Sequence, residues 1–109
     1  MREPATADRV EVLVLVDNAT DNLSLVPSYV ENELPRLWSR GLRLWSGRCM
    51  CCAAHGLSCA VTAWRDGTAH TLLFDTGPDD SVFERNVERL GFDMGGVECI
   101  VLSHGHWDH

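Results

Sequence analysis

Val97-Glu98-Cys99-Ile100-Val101-Leu102 runs directly into Ser103-His104-Gly105-His106-Trp107-Asp108-His109. The first part is a short apolar strand, and the second gathers three histidines and an aspartate within six residues. No packing rule asks for such a cluster. Imidazole nitrogens are borderline-soft donors and a carboxylate is a hard one, a mixture that zinc accepts and that iron or manganese would also take. His104 and His106 are two residues apart, so in an extended segment their rings project to the same side and can hold one ion. Asp108 and His109 are adjacent and would diverge in a strand, but a tight loop permitted by Gly105 could aim both at a second ion about 3.5–4 Å from the first. The plain alternative is a loop that happens to be rich in histidine.

The segments before this passage alternate strand and helix signals. Val10 to Val16 is β-branched-rich with one polar residue, as expected for a strand buried on both faces. Asp17 and Asn18 end it and open a polar loop; they are weak candidates for approaching the ligand cluster. From Leu23 to Trp45, Pro27 and Pro35 interrupt a short helical spacing of Val30, Leu34, Leu37 and Trp38, which predicts a short helix or a covering loop. Arg48 to Gly56 has no period. Leu57–Trp64 and Ala69–Phe74 read as strands joined by Arg65-Asp66-Gly67-Thr68, where Asp-Gly supplies the positive-φ positions of a tight hairpin. After the turn Asp75-Thr76-Gly77-Pro78, a helix is predicted over Ser81 to Leu90. Ser81 and Glu84 are spaced as its capping box, Gly91 is its stop, and Phe83, Val87 and Leu90 share one face.

Composition narrows the function classes. With 109 residues, 45% hydrophobic and 23% charged, the chain has the make-up of one small globular segment, so disorder is not the expectation. A formal net charge of −7 argues against nucleic acid as a partner, because a phosphate backbone is bound by cationic side chains. No stretch approaches the roughly 20 apolar residues that cross a bilayer, and Met1 to Arg9 is too polar for a secretory leader, which predicts no membrane association and a cytoplasmic protein. Five cysteines, Cys49, Cys51, Cys52, Cys59 and Cys99, are an odd set without the paired spacing of a zinc ribbon, so free thiols are expected. His55 is either a pocket residue or an ordinary loop histidine, and His70 reads as a strand residue. Trp38, Trp45 and Trp64 read as packing groups, with Trp107 set apart by its place in the ligand cluster.

His104, His106, Asp108 and His109 match the HxHxDH pattern of the metallo-β-lactamase superfamily, and Leu73-Phe74-Asp75-Thr76-Gly77 resembles its strand-to-loop motif. Leu15-Val16-Asp17-Asn18, His55-Gly56-Leu57-Ser58 and Leu102 to His109 are most similar to the dihydropterin synthase-like branch, named after a methanopterin-pathway enzyme. These motifs reach from Leu15 to His109. The resemblance implies an α/β fold, an αββα sandwich of which residues 1–109 would be the N-terminal half, truncated after the motif. It further implies two zinc ions, the first on His104 and His106 and the second on Asp108 and His109. Water activated between the ions would attack an ester, amide, thioester or phosphodiester of a small-molecule substrate. Asp108 would orient that water or relay its proton, and Asp75 would fix the ligand loop, where turn chemistry alone would make it a plain turn former. Further ligands and a second sheet come from the family's C-terminal half. The expectation is therefore a hydrolase-type fragment that is inactive alone and needs that half or self-association. The alternatives are a non-catalytic metal-binding remnant with a partner chain, and a synthase-like transferase.

Overall fold

Arg9–Val16 forms the first strand, β1, and the chain returns to it only after a long excursion. The computed structural model describes residues 2–109. The excursion contains one short helix, α1 (Glu33–Ser39), started by Asn32, whose side chain accepts the Leu34 N–H, and anchored by buried Leu34 and Leu37. Pro35 lies in its first turn, where a missing N–H costs nothing. The chain then enters the hairpin β2 (Ser58–Arg65) and β3 (Thr68–Phe74). Asp66 and Gly67, with φ of 49° and 77°, supply the two left-handed positions that match the twist of the flanking strands. Helix α2 (Asp80–Leu90) and a single 3-10 turn (Met94–Gly96) lead to β4 (Val97–Val101).

The result is a small α/β arrangement, a four-stranded mixed sheet in the order β1-β2-β3-β4 with two helices. β1 pairs antiparallel with β2, β2 antiparallel with β3, and β3 parallel with β4. It follows that the end of β1, the start of β2 and the ends of β3 and β4 all lie along one edge of the sheet. Every candidate site residue except His70, which lies within β3, sits in a segment that leaves from that edge. No helix among the described residues is long and apolar enough to cross a membrane.

The core is built on one face. Leu15, Ala60 and Leu73 meet Leu90 of α2, with Leu13, Phe83, Val87, Phe92 and Val97 packed around them. Each fully buried leucine contributes roughly 2 kcal/mol. The predicted apolar helix face is thus the one that packs. The expected capping box is not formed: Asp79 is the N-cap and its carboxylate accepts the Val82 N–H at 3.1 Å, so the helix starts one residue before Ser81. Gly91 ends it with φ of 63°. Beyond it, Arg36 donates to the Leu90 carbonyl at 2.6 Å and Arg40 to the Arg89 carbonyl at 3.0 Å, cations placed at the negative end of the helix.

β1 departs from its expected burial on both faces. Leu13 and Leu15 point to α2, but Val10, Val12 and Val14 are 57%, 58% and 45% exposed. The cause is position, because β1 is an edge strand and α2 covers only one side of the sheet. In the paired strands the same uncovered face continues through Val61 and Leu72 to Cys99. Trp38 and Trp45, read as packing groups, are exposed instead, whereas half-buried Trp64 packs under the Arg9 guanidinium at 3.8 Å and Trp107 is exposed at the end of the chain's last loop.

One buried polar group holds the irregular segment 48–56 in place. Asn86 of α2 donates to the Leu15 carbonyl at 2.7 Å and the Cys52 carbonyl at 2.9 Å, and accepts the Cys52 N–H at 3.0 Å. Backbone groups that no strand or helix would satisfy are thereby paired.

Candidate metal centre

The ends of β3 and β4 lie side by side because the strands run parallel, and Asp75 joins them. It takes φ of 57°, a left-handed conformation that aspartate tolerates better than most residues, and its N–H still donates to the Val101 carbonyl at 2.9 Å. The turn places its side chain, fully buried, under the loop after β4. Oδ1 accepts the Ser103 N–H at 2.7 Å. Oδ2 accepts the Ser103 hydroxyl and meets His109 Nδ1, both at 2.7 Å. Burial by itself would push the Asp75 carboxyl up, but the Ser103 N–H, the Ser103 hydroxyl and His109 outweigh it and bring the carboxyl to about 2. At neutral pH Asp75 is a carboxylate that can only accept.

That fixes where the protons sit. The single Ser103 hydroxyl proton goes to Asp75, so the Ser103 oxygen must accept from His104 Nδ1, 2.8 Å away. His109 Nδ1 likewise donates to Asp75. Both rings are therefore tied at Nδ1, directly or through Ser103, and each offers Nε2 as its outward nitrogen. Histidines held at one nitrogen by a carboxylate are oriented for metal binding at the other.

The segment after β4 turns rather than extends, so His104 and His106 meet through the bend of the loop and not through strand alternation. Their ring centroids are 4.5 Å apart, and that of His109 is 4.3 Å from His104. One donor atom each from His104, His106 and Asp108 lies within 4.8 Å of the others. Zinc bonds of roughly 2.0–2.2 Å put ligand atoms roughly 3–4 Å apart, so this donor set fits a divalent ion with a small closure. His109 Nε2 faces Asp108 Oδ2 at 3.5 Å, and whatever occupies that nitrogen, proton or cation, lies against the carboxylate. Asp108 thus stands with His104 and His106, and His109 flanks the group from its Asp75 anchor.

Neighbouring loops brace the ligand loop. Thr76 donates to the His109 carbonyl from its N–H at 2.5 Å and from its hydroxyl at 2.9 Å. Gly56 packs so tightly that a Cβ there would collide with the Asp108 carbonyl oxygen. His55 Nε2 lies 3.3 Å from Asp108 Oδ2, and its ring centroid is 6.1 Å from that of Trp107.

Other candidates fall elsewhere. The Asp17 carbonyl accepts the Ala54 N–H, and Asn18 folds back on the Asp17 carboxylate, so this pair shapes the loop leading to His55. His70 pairs with Glu98 at 2.9 Å across β3 and β4. All five cysteines are free thiols, and among the described residues they form no metal-ligating group. Burial and the neighbouring Glu33 push Cys51 up to about 12. The structure adds Ser103, whose part in the Asp75 relay was not read from the sequence. A hydroxyl next to the first histidine, one residue beyond an apolar strand, was the available signal.

No family model matches the chain. Over 55 residues, half of this chain, it is 33% identical to the 7,8-dihydropterin-6-methyl-4-(beta-D-ribofuranosyl)-aminobenzene-5'-phosphate synthase of Methanocaldococcus jannaschii, a match that spans 19% of that protein's length. The chain is a distant and partial relative of that synthase.

Proposed function

We propose that His104, His106 and Asp108, flanked by His109, hold a divalent metal, and that this chain is the metal-holding part of a metallo-β-lactamase-fold enzyme acting on a small-molecule substrate. Zinc is the first choice from the donor types, with iron or manganese acceptable to the same set. The observation that carries this reading is the anchoring of His109 directly, and of His104 through Ser103, on one buried carboxylate, which leaves the Nε2 of each ring free for an ion and sets that of His109 against Asp108. A structural histidine loop has no need of such an arrangement.

A divalent ion bound there supplies Lewis acidity toward a substrate oxygen and activates water near neutral pH. The chain's own residues supply orientation and proton handling. Asp75 and Ser103 hold the imidazoles in one tautomer and Thr76 fixes the backbone at His109, while Asp108 would orient a reacting water or accept its proton. Three or four donors leave room for two ions only if water, a second copy or a C-terminal half completes their shells. Hydrolysis is the reaction that this chemistry performs with water as acceptor. The similarity to a synthase favours a second reading, in which a substrate nucleophile takes water's place.

The test is metal content of the purified chain together with turnover of generic ester and phosphodiester substrates, with His106→Ala as control. Zinc bound in stoichiometric amount and lost in His106→Ala is the expected outcome. A chain that binds no added zinc, iron or manganese would sink the metal reading, and metal binding without hydrolysis would favour group transfer or a non-catalytic role.

A further inference from the structure

Three observations converge on the loop before β2. Gly56, at φ of 142°, presses against the backbone of the ligand loop so closely that no side chain fits between it and the Asp108 carbonyl. The loop is held from the other side by Ala54, whose N–H donates to the Asp17 carbonyl at 3.0 Å. Between these restraints His55 reaches over Asp108, Nε2 to Oδ2 at 3.3 Å, with its own side chain 77% exposed and that of Asp108 14% exposed. An exposed histidine gains little by leaning on a carboxylate unless the backbone puts it there.

The same Asp108 oxygen faces His109 Nε2 at 3.5 Å. His109 already gives its Nδ1 proton to Asp75, so once its Nε2 binds a cation it has no donor left for Asp108. His55 has one. We propose that His55 is a positioning residue of this site, whose Nε2–H holds one carboxylate oxygen of Asp108 and so fixes the orientation in which Asp108 meets a divalent ion. The inference rests on the metal reading above and adds a residue from a different loop to the site. It also gives Gly56 a role, since a Cβ there would lift the loop and carry His55 away from Asp108.

The test measures Zn2+ affinity by competition with a chromophoric chelator, and the visible absorption of the Co2+-loaded chain, for the unaltered protein, His55→Ala and His55→Gln. Far-UV circular dichroism of the metal-free forms checks the fold, which an exposed side chain should not disturb. Expected are a loss of about 10-fold in Zn2+ affinity and shifted Co2+ bands in His55→Ala, both largely restored in His55→Gln, which keeps an N–H donor. An alanine variant with unaltered affinity and spectrum overturns the role of His55 while the metal reading stands. Equal losses in both variants would make His55 a ligand itself and overturn the positioning role. An unaltered chain that binds neither metal overturns both readings together.

Discussion

Asn86 and Asp75 are alike in burial and in bond count, and opposite in what they serve. Each is a buried polar side chain that makes three hydrogen bonds to segments distant in sequence. Asn86 is neutral and spends its bonds on backbone groups of Leu15 and Cys52, so its work ends in a satisfied loop. Asp75 is charged and spends two of its three bonds on a hydroxyl and an imidazole, which orient the His104 and His109 rings. The first is a stitch and the second a mount. Buried polar groups that terminate on backbone serve the fold, whereas those that terminate on imidazoles serve whatever the imidazoles hold.

Breaking the stitch should have the largest effect on folding. Asn86→Ala leaves two carbonyls and one N–H without partners and should cost about 3 kcal/mol, read as a fall in Tm on the order of 15 °C. Zn2+ affinity of the folded variant should stay near that of the unaltered chain. Asp75→Ala should do the reverse in emphasis, lowering Zn2+ affinity about 10- to 100-fold as His104 and His109 lose their common anchor. A chelator competition on both variants decides it. Equal affinity losses would erase the distinction between the two residues.

Much of the sheet was legible because its signals are local. The hairpin follows from Asp66-Gly67, α2 follows from Phe83, Val87, Leu90 and Gly91, and the gathering of His104, His106 and Asp108 follows from their density in one short loop. What escaped the sequence depends on neighbours. β1 looked buried on both faces because β-branched runs report apolarity and not the number of layers around a strand. Asn86 sits three residues after Phe83 and one before Val87, a polar residue on an apolar stripe, and its meaning appears only when Leu15 and Cys52 arrive beside it. Asp79 displaced Ser81 as the cap because both residue types cap helices and only backbone geometry chooses between them. Ser103 precedes the first histidine in the sequence, yet its relay exists only once the turn at Asp75 has formed.

Acid is the mildest probe of the two residues, because it protonates Asp75 and cannot act directly on Asn86. Asp75 is brought to about 2 in the folded chain, below the value of about 3.9 for an unfolded aspartate. Its stabilising contribution is therefore complete above about pH 4 and is lost as pH falls through about 2. Asn86 does not titrate. In the metal-free chain, the Ser103 amide, which donates to Asp75, should shift in an NMR titration with a midpoint near pH 2, while the Cys52 amide, which donates to Asn86, should hold its position until the chain unfolds. A Ser103 midpoint near pH 4 would mean that Ser103 and His109 do not hold Asp75 ionised, and the tautomers assigned to His104 and His109 would fall with it.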